Sequence, residues 1–268
     1  MRSLKPFKIC GLRTWAVAGL FGLVASVVPQ PVGAVLGGRD GGPQQASTLM
    51  VLSNRGGVCS GVVVAQNAVL TAAHCVGARA EIRIHWRDAS GEPVLIEPAT
   101  VTIHPGYVAG AIAERRPSVD LALIRLPQAL PSRFSPAQLS DAPWPRADDP
   151  VTLAGYGVLR EGDPRTTGTY RSANLNAVEP YGPGRILLWA SDPATSGQRP
   201  GAGACQGDSG GPMFNAGGQI VAVTSWSTGA TKGGCGLLSQ GILLKPQRAW
   251  IDATLSRWQS QANWFTKR

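Results

Sequence analysis

Histidine and cysteine are scarce in this sequence, which has three histidines and five cysteines in 268 residues. No C-x-x-C pair is present, so we expect neither a zinc site nor another metal or cofactor. Charged residues make up only 15% of the chain and hydrophobic residues 43%, a balance that excludes an intrinsically disordered protein. No basic run interleaved with aromatic residues occurs, so we expect no nucleic-acid partner.

The apolar run near the N-terminus is short for a membrane span: 14–28 has about 15 residues, whereas a span needs about 20. The basic start before it contains no acid and four cations: Arg2, Lys5, Lys8 and Arg13. Val32 and Ala34 occupy the −3 and −1 positions of a plausible signal-peptidase site. We therefore predict a signal peptide over 1–34 and a secreted protein, extracellular or periplasmic, without stable membrane association. A retained membrane anchor is the alternative.

Removal of 1–34 takes four positive charges and Cys10 with it. The formal net charge then falls from +9 to +5, which we interpret as a solvated basic surface. Four cysteines remain, an even number that indicates disulfides in an exported chain but allows three pairings. They are Cys59, Cys75, Cys205 and Cys235.

The rest of the chain alternates short, β-branched apolar stretches with Gly, Pro, Asp and Asn. Examples are TLMVLSN at 48–54, GVVVAQNAVL at 61–70 and QIVAVTSW at 219–226. The pattern favours an all-β sandwich or barrel over a parallel α/β fold. The Pro- and Asp-rich stretch 141–150 is the candidate break between two halves of similar size.

The C-terminal stretch has a different periodicity. Five larger or β-branched residues recur there at helical spacing: Trp250, Ile251, Thr254, Leu255 and Trp258. This spacing predicts an amphipathic helix over about 247–260, whose tryptophans pack in the core.

The candidate nucleophile is Ser209, in GDSGGP at 207–212. A serine hydroxyl needs a neighbouring base, and all three histidines precede Ser209. Residues 207–211 also match the G-x-S-x-G pattern of α/β-hydrolases, but in those enzymes the histidine follows the serine. The order of residues therefore excludes an α/β-hydrolase.

His74 is the candidate base, because it follows an apolar strand in VLTAAHC and adjoins Cys75. The sequence around His85 indicates an ordinary strand residue, and the sequence around His104 indicates a turn. Asp120, in SVDLALIRL, interrupts an otherwise apolar strand. A buried carboxylate without a partner is costly, so Asp120 is the candidate acid beside the base.

The order His74, Asp120, Ser209, carried by LTAAHC, DLALIRL and CQGDSGGP, resembles that of the chymotrypsin/trypsin-like serine endopeptidases. The resemblance covers nearly all of 35–268 and implies two antiparallel six-stranded β-barrels, with the active site between them and a C-terminal helix. We expect the barrels at about 35–145 and 146–246. The resemblance also implies a monomer that acts on proteins or peptides.

The catalytic residues and oxyanion hole of the family each have a corresponding residue in this chain. The resemblance implies that Ser209 attacks the scissile carbonyl, His74 accepts its proton and Asp120 orients His74. The backbone N–H groups of Gly207 and Ser209 would form the oxyanion hole, and Ser225 would hydrogen-bond Asp120.

The resemblance also selects the disulfides Cys59–Cys75 and Cys205–Cys235 among the three pairings. It places the pocket for the substrate residue before the cleaved bond (P1) at six positions: Gly203, Ala204, Ser225, Trp226, Ser227 and Gly241. Trypsin-like members carry Asp six residues before the nucleophile, where this chain has Gly203. Because a buried Lys or Arg would then lack a partner, we predict cleavage after apolar residues.

Activation in the family pairs a new N-terminal amine with the aspartate before the nucleophile, here Val35 with Asp208. Val35 directly follows Ala34, so we predict that signal removal itself creates the active N-terminus. A mature start near Ser26 would instead indicate a propeptide. Catalysis needs a neutral imidazole and a charged amine, so activity should rise through near-neutral pH and fall in alkali.

Two other functions fit parts of the pattern. A catalytically silent relative would act as a binding module, although such relatives usually lose a triad residue and this chain keeps all three. A membrane-tethered protease would result if 14–28 were retained.

Overall fold

The computed structural model describes residues 35–265 apart from 43, 56, 78–79, 112–113, 115, 144 and 179–184. The predicted signal peptide lies outside the described residues. Every described residue belongs to one compact unit within Pro31–Arg268. Across the part of the chain described, no helix has the length and apolarity needed to span a membrane.

Short strands make up most of the described chain. In chain order they are β1 Arg39–Asp40, β2 Thr48–Ser53, β3 Val58–Ala65, β4 Ala68–Thr71, β5 Ile82–Arg87, β6 Pro93–Ile96, β7 Thr100–Ile103, β8 Ala122–Arg125, β9 Gln138–Ser140, β10 Pro150–Gly155, β11 Arg171–Val178, β12 Leu187–Ser191, β13 Pro212–Asn215, β14 Ile220–Thr228, β15 Leu238–Leu243 and β16 Asn263–Phe265. One α-helix, α1 Arg248–Arg257, follows β15. Short 3-10 helices include Gln45–Ser47, Ala73–Val76, Pro164–Thr166 and Lys245–Gln247.

The N-terminal half is one antiparallel sheet in the order β6-β5-β2-β3-β4-β8-β7. Among the described residues its two end strands do not pair, so the sheet is a half-barrel. Its concave side encloses a core of aliphatic and aromatic side chains, which includes Leu49, Val63, Val69, Ile84, Ile124 and Phe134.

The C-terminal half closes into a barrel. Six strands follow one another in the order β13-β10-β11-β12-β15-β14, and β14 pairs back onto β13. The strand β1 adds to β11, with Asp40 opposite Arg171. Strand β9 joins outside the ring, running parallel to both β14 and β16.

An apolar interface joins the two halves. Val62 and Leu70 of the N-terminal sheet share one buried cluster with Phe214 and Ile242 of the barrel. The helix α1 inserts Leu255 into the same cluster. Burying such a side chain completely contributes about 1.5–3 kcal/mol, so this interface is a main source of stability.

The predicted all-β class and chymotrypsin-like architecture are confirmed. The expected six strands form the C-terminal barrel, but the N-terminal half has seven in an open order. The strand pattern of a sequence indicates how many strands exist and not whether the end strands meet. The C-terminal helix is present, and its α-helical turns are shorter than the predicted 247–260 because Lys245–Gln247 is a 3-10 turn and the helix ends at Arg257.

Candidate active site

The candidate base lies at the end of β4, where the chain leaves the sheet. His74 is in the 3-10 turn Ala73–Val76, and a disulfide joins the adjacent Cys75 to Cys59 on β3. The side chain of His74 is 39% exposed, so its ring reaches solvent. A covalent tie therefore anchors the backbone beside a base that stays accessible to a substrate.

Asp120 holds the His74 ring from the buried side. His74 Nδ1 lies 2.7 Å from Asp120 Oδ2, and the His74 backbone N–H donates to Asp120 Oδ1 at 2.9 Å. Ser225 Oγ donates to Asp120 Oδ2 at 2.6 Å. Burial raises the pKa of Asp120, but the hydrogen bonds and positive charge of His74 and the bond from Ser225 outweigh it, and the pKa is lowered overall. Asp120 is therefore an ionised carboxylate at neutral pH.

Ser209 is half-buried in the loop between Cys205 and β13. The disulfide sulfur Cys75 Sγ lies near both residues, 3.7 Å from His74 Nε2 and 3.8 Å from the Ser209 carbonyl oxygen. The described residues contain no hydrogen bond from Ser209 Oγ to His74. Such bonds are often long in an enzyme without substrate and shorten in the complex.

Two amide groups of the loop at Ser209 have no acceptor among the described residues. Gly207 has φ +100°, and a Cβ on it would lie 2.7 Å from Gly157 Cα, so only glycine fits there. Within the described part of the chain, neither the Gly207 nor the Ser209 N–H donates to another protein group. Two neighbouring free N–H groups are what an oxyanion hole requires.

Asp208, between Gly207 and Ser209, is completely buried. Its carboxylate accepts from the Gly157 N–H at 2.9 Å and the Cys205 N–H at 3.0 Å. Burial raises the pKa of Asp208 to about 7, although these two bonds and the positive charge of Arg171 lower it. In the part of the chain that the structure describes, Asp208 therefore has no cation close enough to offset its burial.

Val35 is completely buried in the same barrel, in one apolar cluster with Ala204. The next residue, Leu36, forms an isolated β-bridge with Gly203. The first described residues thus lie against the segment that leads into Cys205 and Asp208.

The predicted pocket residues lie on this segment and on β14 and β15. Gly203 and Ala204 are buried, while Trp226 and Ser227 are half-buried. The Trp226 ring meets that of Trp189 edge to face at 5.9 Å. A Cβ on Gly241 would lie 2.5 Å from Met213 Sδ, so Gly241 packs against the barrel core.

Two serines that the sequence did not indicate as site residues contact residues of the candidate site. Ser239 Oγ accepts from the Ala204 N–H at 2.9 Å, and a Cβ on Gly203 would lie 3.0 Å from it. Ser60, completely buried on β3, contacts the nucleophile loop directly. For Ser60 the signal in the sequence is a hydroxyl inside an apolar run; for Ser239 we find none.

The disulfides Cys59–Cys75 and Cys205–Cys235 are both present, which confirms the predicted pairing. Cys59, His74 and Cys75 cluster closely enough to suggest a metal site. Both sulfur atoms are consumed by the disulfide, so this cluster has no thiolate to offer a metal.

Comparison with known proteins agrees with this fold. The family model described as Trypsin matches residues 35–246. Human Kallikrein-12 is 31% identical over 227 residues, which cover 81% of this chain and 88% of that protein. Trypsin alpha of Drosophila erecta is 28% identical over 262 residues, covering 92% of this chain and 98% of that protein. The solved structure of mouse neuropsin, titled a serine protease expressed in the limbic system of mouse brain, aligns with a TM-score of 0.65 at 23% identity, over 81% of this chain and 98% of that one.

The fold, the disulfides and these similarities together define the class, and the chain belongs to the trypsin family of serine proteases. It is a serine endopeptidase, a hydrolase that acts on proteins or peptides.

Proposed function

We propose that this protein is a secreted serine endopeptidase that works through a His74–Asp120–Ser209 triad. The observation that carries the proposal is the pair of hydrogen bonds from His74 to the buried Asp120, at 2.7 and 2.9 Å, beside the loop of Ser209. Asp120 fixes the ring so that Nδ1 carries the proton and Nε2 is free to act as base.

The reaction has two stages, acylation and deacylation, and in each stage His74 takes up one proton and then gives it up, first to the leaving amine and finally to Ser209 Oγ. Ser209 Oγ attacks the substrate carbonyl carbon while His74 Nε2 takes the hydroxyl proton, and the new oxyanion accepts hydrogen bonds from the Gly207 and Ser209 N–H groups. His74 then gives the proton to the leaving amine as the C–N bond breaks, which leaves an acyl-enzyme. Water, deprotonated by His74, hydrolyses that ester and restores Ser209.

The decisive experiment is labelling with a serine-directed peptidyl phosphonate, followed by intact mass. One phosphonyl group should add to the wild type and none to Ser209→Ala. Ser256→Ala, which removes an exposed serine of α1, should label as the wild type does. A folded wild type that takes no label would indicate a binding relative without catalysis.

The substrate pocket favours an apolar P1 residue. Gly203 and Ala204 at its floor are uncharged, and so are the neighbouring serines Ser227 and Ser239. A cationic P1 side chain would lose its hydration there without gaining a carboxylate. Cleavage of a peptide library should occur after apolar residues; cleavage mainly after Lys or Arg would refute this.

Secretion follows from the leader 1–34 and from the two disulfides, which persist in oxidising compartments. Cell fractionation tests it: the proposal requires the mature protein outside the cytoplasm and free of the membrane. Recovery in the membrane fraction with 14–28 retained would identify a tethered protease.

Activation by signal removal is the remaining part of the proposal. Val35 is already buried beside the segment that carries Asp208, and a free amine there would supply the cation that Asp208 lacks. The mature mass should equal Val35–Arg268 less four hydrogens. Active enzyme that starts near Ser26 would contradict this proposal.

A further inference from the structure

Ser60 is a buried polar residue in the middle of an apolar strand. It lies on β3 between Cys59 and Gly61, with no exposed surface. A hydroxyl in such a place requires hydrogen-bond partners, because leaving it unpaired costs stability.

Those partners belong to the nucleophile loop and its neighbours. Ser60 Oγ donates to the Gly207 carbonyl at 2.9 Å and accepts from the Tyr156 N–H at 2.9 Å. The Ser60 N–H donates to the Ser209 carbonyl at 2.8 Å. One residue of the N-terminal sheet therefore holds two carbonyls of the C-terminal half, on either side of Asp208.

Ser60 is itself held in place. Thr71 Oγ1 donates to the Ser60 carbonyl at 2.8 Å, and Thr71 is completely buried on β4. Space around the side chain is also limited: a Cβ on Gly155 would lie 3.0 Å from Ser60 Oγ, and one on Gly211 3.2 Å from Ser60 Cβ. The Ser60 side chain therefore has little room to move.

The two clamped carbonyls fix the direction of the free amides. The Ser209 N–H lies between them along the chain, and only the φ and ψ rotations of Gly207 separate its N–H from its clamped carbonyl. Gly207 has no side chain to restrict those rotations, and its φ of +100° is open to glycine alone. A restraint on the Gly207 carbonyl is thus a restraint on the oxyanion hole.

We propose that Ser60 is a positioning residue that holds the Gly207 and Ser209 amides in their oxyanion-binding orientation. The inference rests on the proposed function and adds a residue to it. Ser60 touches no substrate; it acts through the loop that does. Its loss should therefore weaken transition-state binding and leave ground-state binding intact.

The test compares Ser60→Ala with Ser47→Ala. Ser47 is an equally suitable buried serine in the same half, and its Oγ also donates to a backbone carbonyl, that of Gln44, at 2.9 Å. For Ser60→Ala we expect kcat on a peptide amide to fall about 10–100-fold with KM changed less than about twofold. The Ki of a peptidyl aldehyde, whose adduct places an oxyanion in the hole, should rise by a similar factor. Ser47→Ala should leave kcat, KM and Ki unchanged.

Each outcome either supports or overturns the role proposed for Ser60. An unchanged kcat in folded Ser60→Ala overturns the inference, and so does an equal loss in Ser47→Ala, which would mark a general effect of buried serines. If Ser60→Ala does not fold, Ser60→Gly removes the same hydroxyl and must show the same split between kcat and KM. A wild type that neither turns over peptides nor reacts with the phosphonate defeats the proposed function, and the inference with it.

Discussion

At the scale of single residues, the pKa values of two buried aspartates are shifted in opposite directions. Asp120 meets two side-chain donors and a backbone N–H, and its pKa is lowered despite burial. Asp208 meets backbone N–H groups only, and burial raises its pKa to about 7. The groups around each carboxylate, and not its residue type, therefore determine the direction in which its pKa is shifted.

The raised pKa of Asp208 predicts how the unprocessed chain responds to pH. The folded state binds a proton that the unfolded state has lost between about pH 4 and 7, so the stability of the full-length chain should fall as pH rises through that range, by up to about 1.4 kcal/mol per pH unit. Urea unfolding at a series of pH values measures the slope. Asp208→Asn should flatten it, and so should cleavage at Val35, whose amine supplies a cation. Identical slopes in the wild type and Asp208→Asn would refute this.

The pKa shift of Asp120 has the opposite direction, so its effect on the pH dependence of stability is opposite to that of Asp208. Because its pKa is lowered in the folded state, its contribution to stability is complete above the unfolded value and is lost as pH falls below about 4. Asp120→Asn should therefore lose the acid-side slope, measured by the same unfolding series. A variant that keeps the full slope below pH 4 would exclude Asp120 as its source.

At the scale of elements, an ion pair joins the two-residue strand β1 to β11 in addition to the strand pairing. Arg171 Nε lies 2.5 Å from Asp40 Oδ1, and the Arg171 side chain is 10% exposed. The Arg83–Glu97 pair has an acid of almost equal exposure, 73% against 71% for Asp40, but its arginine is 37% exposed. The two pairs therefore differ mainly in the burial of the cation.

Because the acids of the two ion pairs are almost equally exposed, the Arg83–Glu97 pair is a control for the burial of Arg171. Asp40→Asn should lower the free energy of unfolding by about 1–2 kcal/mol, because it leaves a buried guanidinium with a weaker partner. Glu97→Gln should change it by less than about 0.5 kcal/mol, as is usual for surface pairs. Chemical denaturation of both variants measures the difference, and equal effects would show that burial of Arg171 is irrelevant.

The helix α1 is the element that closes the interface between the halves. Leu255 is completely buried there, whereas its neighbour Ser256 is exposed. Leu255→Ala should cost about 2–5 kcal/mol through lost burial and the cavity left behind. Ser256→Ala should be nearly neutral, and a similarly small loss for Leu255→Ala would mean that the helix does not support the interface.

At the scale of the whole molecule, the half-barrel and the barrel share one core. The cluster that contains Val62, Leu70, Phe214 and Ile242 crosses between them, and the Ser60 bonds cross at the same place. Neither half can unfold without exposing the apolar face of the other. The residues of the proposed triad are divided in the same way: His74 and Asp120 come from the first half and Ser209 from the second.

A shared core predicts cooperative unfolding. Hydrogen exchange measured by mass spectrometry in increasing urea should give β4 and β12 the same midpoint, although they belong to different halves. Leu70→Ala should lower both midpoints together. Two separate midpoints would show that the halves are independent domains.

The sequence by itself determined the elements whose signals are local. Alternating apolar stretches indicated the all-β class, helical spacing at 250–258 indicated α1, and the motifs around His74, Asp120 and Ser209 indicated the family. Four cysteines alone left three pairings open, and the family resemblance selected the two disulfides that the structure contains. Local patterns suffice here because each motif is contiguous in the chain.

Only the tertiary structure decided which groups meet across the chain. Ser60 and Gly207 are 147 residues apart in sequence, and the residues around each of them do not indicate that the two form a hydrogen bond. The same holds for Ser239 beside Gly203, for the end strands of the half-barrel that stay apart, and for the opposite pKa shifts of Asp120 and Asp208. The physical reason is common to all of them: hydrogen bonds and burial depend on distances that exist only once the chain has folded.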